Sequence, residues 1–207
     1  MKTSKRPRAP IRQSYHHGDL RAALLAAAAR LLEKEGAEAV SFRAIAREVG
    51  VSQTAPYNHF ESKEHLLATV AEDGFRSFVV LQRAAARTRS PRRRLQALGR
   101  AYVAFASAHP QLYRLMFGVG LADWKRYPSL VEAALESCIL VQQALAVLPP
   151  QAERSAGEGE SSWVATWAMV HGLASLLIDG KLGPSGADRL ADRAVGWYAA
   201  LLFDDDR

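Results

Sequence analysis

The chain has 207 residues, 49% of them hydrophobic and 23% charged, with a formal net charge of +6. This is the composition of an ordinary globular protein, long enough for a small domain plus a larger one. Its one cysteine, Cys138, excludes an internal disulfide and a cysteine-rich zinc site, and its apolar helical surroundings predict a small buried core residue.

Charge is segregated along the chain. Residues 1–60 carry ten Lys or Arg against five Asp or Glu, and residues 74–122 hold nine Arg and no acid. A basic balance favours a polyanionic partner. The arm over residues 1–17 contains Lys2, Lys5, Arg6, Arg8 and Arg12, but Ser14 to Asp19 stand where a secretory signal needs an apolar core. A cytoplasmic location is therefore expected. His16 and His17 are adjacent and so point apart, and no cysteine or carboxylate stands out as a partner to complete a metal site. Solvent or phosphate contact is the expectation, and no metal or cofactor is expected anywhere in the chain.

No useful length alternates with strand period, whereas helical spacing recurs throughout. Leu20, Leu24, Leu25, Ala28, Leu31 and Leu32 make a first apolar face, stopped at Gly36. Phe42, Ile45, Ala46 and Val49 make a second, opened by Ser41 as N-cap and closed by Gly50. Ser52 is placed to cap a third short helix reaching Phe60, and a fourth starts near Ser62 with Leu66, Leu67, Val70, Ala71, Phe75 and Phe78. Ser90-Pro91 opens a fifth helix, His109-Pro110 ends it and begins a sixth, and Pro128 opens a seventh that Pro149-Pro150 ends. Residues 151–162 read as a loop. An uncharged eighth helix with Trp163 and Trp167 reads as fully buried rather than membrane-spanning, because it holds Thr166, His171 and Gly172 and lacks basic flanks. After a turn over residues 180–186, a ninth helix carries Leu190, Trp197 and Leu201, and Asp204-Asp205-Asp206 reads as a solvated tail. The prediction is an all-α chain of about nine helices.

The functional information is concentrated between Ser41 and Phe60. Two short helices joined by a turn with Gly50 at its centre form a helix-turn-helix pattern. Gly50 permits the left-handed backbone of the turn, and Ile45, Ala46, Val49 and Val51 form the apolar wedge between the helices. On the second helix Gln53 and Tyr57 lie one turn apart, as do Thr54 and Asn58. Amide, hydroxyl and phenol groups on an exposed face are poor core material and good readers of bases and phosphates. An ordinary helical hairpin would need caps, glycine, polar face and basic arm to coincide.

At these residues the chain resembles the TetR family of bacterial repressors. The resemblance runs over residues 15–75. It rests on the first-helix pattern, on Ser41, Ile45-Ala46 and Gly50-Val51, on Tyr57-x-His59-Phe60, and on Ser62-Lys63-Glu64 followed by Leu66-Leu67. A shorter likeness, Trp167-x-x-x-His171-Gly172, points to one branch of that family. The resemblance implies DNA contact by Ser41, Arg43, Gln53, Thr54, Ala55, Tyr57, Asn58, His59 and Lys63. Tyr57, His59 and Lys63 would meet the backbone, and Arg43, Gln53, Thr54 and Asn58 the base edges. Pro56 departs from the family pattern, where many members have an aliphatic residue; the helix is expected to survive it, with its start shifted.

The resemblance further implies three parts: the basic arm 1–17, a helix-turn-helix domain 18–78, and a C-terminal bundle 79–207 for dimerisation and ligand binding. It implies a homodimer on an inverted-repeat operator in double-stranded DNA, a repressor released by a small-molecule effector, and no membrane association. Tyr102, Phe105, Met116, Phe117, Trp167 and His171 are the expected pocket residues, chosen for an excess of aromatic and soft side chains. For His171 a satisfied core position beside Trp167 is an equal alternative. The arginine-rich stretch 83–100 reads as a solvated connector or an attractor for an anionic effector. No Ser/His/Asp or Cys/His arrangement, metal spacing or phosphate loop suggests an enzyme. The remaining alternative is a constitutive DNA-binding protein without an effector.

Overall fold

A computed structural model of the chain describes residues 17–118, 123–147, 159–183 and 187–203. The arm 1–16, the Pro149-Pro150 stop, residues 151–158 and the acidic tail lie outside the described residues. Eight α-helices are present among them: α1 (His17–Glu35), α2 (Phe42–Val49), α3 (Lys63–Ala85), α4 (Pro91–Ala108), α5 (Pro110–Phe117), α6 (Pro128–Leu145), α7 (Gly159–Ile178) and α8 (Ala187–Phe203).

The boundaries follow local chemistry. Ser41, Ser62 and Ser90 each take extended backbone and accept a hydrogen bond from the amide three residues on, at 3.2, 3.1 and 3.4 Å. These caps satisfy an amide that the first helical turn leaves free. Pro91, Pro110 and Pro128 occupy first helical positions, where a missing N–H costs nothing. Gly50 ends α2 at φ 77°, and its amide closes the turn onto the Ala46 and Arg47 carbonyls.

The third expected helix is a different object. Residues Ala55–Asn58 form a single 3-10 turn rather than an α-helix running from Ser52 to Phe60. Pro56 is the reason. Lacking an N–H, it cannot donate to the Ser52 carbonyl, which instead accepts from Ala55 at 3.0 Å. Tyr57 to Thr54 and His59 to Pro56 continue the tighter pattern. Ser52 caps no backbone amide; its hydroxyl pairs with that of Thr54 at 3.1 Å.

One core runs from α1 and α2 into the larger bundle. Leu24, Leu32, Val40, Ile45, Phe60 and Leu66 pack in the same apolar cluster as Phe75, Leu115 and Leu130. The boundary expected at residue 78 falls inside α3, which packs along α6, α5 and α4, while α4 packs on α7 and α8. Gly74 lets α3 approach α5 closely: a Cβ there would stand 2.8 Å from Met116 Sδ and 3.0 Å from Leu112 Cδ1. A second aromatic core joins Phe78, Tyr102, Phe105 and Tyr113 to Val170 and Ala174.

Three further expectations need correction. The eighth predicted helix, α7, starts at Gly159 rather than after residue 162. It is not fully buried, because Val164 and Leu176 are exposed on a side that no other described part of the chain covers. Cys138 is only half-buried, since it borders a cavity; that burial still pushes its thiol pKa up. The arginine-rich stretch 83–100 is not simply a solvated connector. Arg83 pairs with Glu136 on α6, Arg100 with Asp192 on α8, and Arg114, beyond that stretch, with Asp179 after α7. The segregation in sequence becomes pairing between helices in space.

Candidate nucleic-acid interface and internal cavity

Around the 3-10 turn the polar side chains point outward. Arg43, Gln53, Thr54, Tyr57 and Asn58 are exposed, Ala55 and His59 are half-buried, and Ser41 is exposed with its hydroxyl committed to capping α2. Tyr57 is 65% exposed and stands edge-on against Phe42, with ring centroids 4.7 Å apart. That contact fixes the ring while leaving its hydroxyl end free. Pro56 and Phe60 are buried beneath the turn, so the proline that prevents a longer helix also anchors the turn to the core. Arg43 is thus exposed on α2 next to Phe42, the residue that Tyr57 packs against. Lys63 begins α3, and its Nζ donates to the Glu38 carbonyl at 3.2 Å. To meet a phosphate it would exchange that neutral partner for a charged one.

The second feature is a partly open cavity of about 380 Å³ lined by residues of α3, α4, α5, α6 and α7. Its walls are mostly apolar and include the rings of Phe75, Phe78, Phe117, Trp124, Trp163 and Trp167. Trp163 and Trp167 stack with planes 2° apart and centroids 6.2 Å apart. Of the six residues expected in a pocket, Tyr102, Met116, Phe117 and Trp167 line this cavity, and Phe105 and His171 do not. Phe105 is turned into the aromatic core against Phe78 at 5.1 Å.

His171 lies one layer behind the wall. Its Nδ1 is 2.7 Å from the Tyr113 hydroxyl and 3.0 Å from that of Tyr102. Desolvation raises the pKa of both phenols and lowers that of the imidazole. The phenols therefore stay protonated and the imidazole neutral, so hydrogen bonds between neutral groups join His171 Nδ1 to the two hydroxyls. One imidazole thus braces α7 to α4 and α5.

Sequence reasoning missed several cavity residues. Gln82 sits in the same helical series as Phe75, Phe78 and Val79, and an amide at a core position was a readable signal. Ser137, Cys138 and Thr166 on α6 and α7 border the cavity too, and nothing local marks them. A long-range strut was also missed. Glu33 of α1 accepts hydrogen bonds from the amides of Leu112 at 3.0 Å and Gln111 at 3.3 Å. A carboxylate on the helix-turn-helix unit thereby satisfies the free N-terminal amides of α5, whose far end supplies Met116 and Phe117 to the cavity.

Two family descriptions match the chain. The family described as "Bacterial regulatory proteins, tetR family" matches residues 24–70, and "Tetracyclin repressor-like, C-terminal domain" matches residues 95–197. No curated protein matches the sequence. A solved protein of unknown function from Rhodococcus sp. RHA1 is 34% identical, with a TM-score of 0.77 over 92% of this chain and 98% of that one. A bacterial regulatory protein in the tetR family from Rhodococcus RHA1 is 20% identical, with a TM-score of 0.67 over 90% of this chain and 98% of its own. The TetR family transcriptional regulator PfmR from Thermus thermophilus is 20% identical, with a TM-score of 0.63 over 89% of this chain and 98% of its own. These last two likenesses are of fold.

The strut carries a prediction. Glu33→Ala removes the charged acceptor of two part-buried amides and should lower unfolding free energy by about 2 kcal/mol. Chemical denaturation measures this; an unchanged midpoint and slope would mean that water replaces the carboxylate at no cost.

Proposed function

This chain belongs to the TetR family of bacterial regulators, and from that premise we propose that it is a repressor released from its operator by a small molecule held in the cavity. That it is a DNA-binding transcription regulator comes with the family; repression, release and operator form are the reading proposed. No enzymatic role is part of it. The observation that carries the reading is the course of α3. This helix starts at Lys63, directly after the exposed recognition turn, and its later residues Phe75, Phe78 and Gln82 form cavity wall. A molecule that displaces the wall moves the same rigid element that positions the turn. A constitutive DNA-binding protein has no use for such a cavity, and that favours the ligand-responsive alternative.

The same reading assigns the uncovered apolar face. On α7 and α8, Val164, Leu176, Leu190, Trp197 and Leu201 are between 46% and 65% exposed. Two apolar helices from each of two protomers, packed about a two-fold axis, would cover that face. Among the described residues no helix is long and apolar enough to cross a membrane, so the stripe is assigned to a second copy rather than to lipid. Such a dimer presents two recognition turns to successive major grooves, about 34 Å apart, and so reads an inverted repeat in double-stranded DNA.

Selection from random duplexes tests the operator claim. The expected product is an inverted repeat bound by two protomers. Asn58→Ala should change the selected bases, whereas Lys63→Ala should weaken all sequences alike and flatten the salt dependence. A selected site without two-fold symmetry would refute the dimeric reading. The paired substitution Trp197→Glu with Leu201→Glu should yield a folded monomer by sedimentation, with operator affinity at least tenfold lower. A double variant that remains a dimer would move the interface elsewhere.

A further inference from the structure

Among the described residues, Gln82 Oε1 is the one buried side-chain polar atom without a hydrogen-bond partner. The residue is 1% exposed, on the cavity side of α3. Burial of an unsatisfied amide oxygen is unfavourable, and a core of this kind would be more stable with an apolar residue at the position. The hydroxyl groups of the wall are already engaged. The Tyr102 hydroxyl is bonded to His171 Nδ1, Thr166 Oγ1 to the Tyr198 hydroxyl at 3.1 Å, and the Ser137 hydroxyl donates to the Ala134 carbonyl at 2.7 Å. One unspent acceptor therefore belongs to a wall residue and lies just beneath the surface of a largely apolar chamber.

The wall also contains no Lys, Arg, His, Asp or Glu among the described residues. An ionised ligand would lose its hydration and find no countercharge, which disfavours carboxylates, phosphates and ammonium groups strongly. We propose that the cavity takes a neutral, largely apolar molecule carrying a hydroxyl or N–H group, and that Gln82 Oε1 accepts the hydrogen bond from that group. This rests on the reading of the cavity as the effector site and adds to it the chemical class of the effector and the residue that selects it. Gln82 and Lys63 lie on one helix, roughly 28 Å apart along its axis at 1.5 Å per residue. The atom that recognises the ligand is thereby on the element that begins at the recognition turn.

A competing role for Gln82 is structural. A small void of about 30 Å³ lies on its other side, bordered also by Tyr102, Thr166 and Tyr198, and that is room for one water bridging the amide. The two roles differ in what removal of the amide does to the free protein.

The test uses the full chain and two matched probes, 1-octanol and its methyl ether 1-methoxyoctane. Binding is read from tryptophan fluorescence, since Trp124, Trp163 and Trp167 line the cavity. Wild type should bind the alcohol roughly tenfold more tightly than the ether, the fold-change of one well-made hydrogen bond. Gln82→Met keeps the side-chain length, and it should bind both probes alike and melt at or above the wild-type temperature. Equal affinities in wild type, a preference that survives Gln82→Met, or binding of neither probe would overturn the assignment. So would a fall of several degrees in the melting temperature of both Gln82→Met and Gln82→Leu, which would make the amide a structural group. Operator affinity in saturating alcohol separates this claim from the one beneath it. A Gln82-dependent preference with unchanged operator affinity supports the anchor and removes the switch. Release of the operator by both probes, bound equally, keeps the switch and overturns the anchor.

Discussion

The unbroken course of α3 is the constraint on which the rest of the structure depends. Twenty-three residues from Lys63 to Ala85 form one helix, capped by Ser62 and buried along much of its length. Its first turns pack under the helix-turn-helix unit through Leu66, Leu67 and Val70, and its later turns pack in the aromatic core through Phe75 and Phe78. Because the interior is close-packed, neither end moves alone. Gly74 tightens the arrangement by bringing α5 against α3, and Glu33 fastens the start of α5 back onto α1. Two elements thus run between the exposed turn and the cavity, one by chain continuity and one by hydrogen bonds.

This architecture explains two features that sit uneasily in a single folded chain. The first is charge. The arginines of α3, α4 and α5 have few acids near them in sequence, and several find carboxylates on α6, α8 and the turn after α7. These pairs lie at the surface, where each contributes little to stability, about 0–1 kcal/mol; their effect is to match helices that the chain order separates. The second is the exposed apolar stripe of α7 and α8, which a monomer leaves in water. In the proposed dimer the same stripe of a second copy would cover it.

Much of the fold was legible because it is written in local chemistry. Serine caps followed by proline or a periodic apolar face set the starts of α2, α3 and α4, and Gly36 and Gly50 set the ends of α1 and α2. An α-helical reading of the recognition segment gives Pro56 only its ordinary cost near a helix start. In so short a segment one missing amide removes most of the α-type bonding, and the 3-10 turn results. Long-range features left weaker traces. His171 stood out beside Trp167 and Gly172, but its position behind the wall depends on Tyr102 and Tyr113, which come from other helices. Glu33 gave no signal at all, since its partners lie nearly eighty positions away. Gln82 did give one, an amide among Phe75, Phe78 and Val79, and its meaning emerged only when the cavity beside it was visible.

The central claim is that occupation of the cavity and the position of the recognition turns are one equilibrium seen from two ends. It can be tested without knowing the effector. Ala134 borders the cavity, so Ala134→Phe places a ring inside it as a permanent occupant. With Cys138 replaced by Ala and Glu61→Cys labelled on each protomer, pulsed electron–electron resonance reads the distance between the two turns of the dimer. The account predicts that Ala134→Phe shifts this distance by several ångströms and weakens operator binding by a factor within the roughly 5–150-fold range typical of allosteric coupling. A folded variant with an unchanged distance and unchanged operator affinity would contradict it.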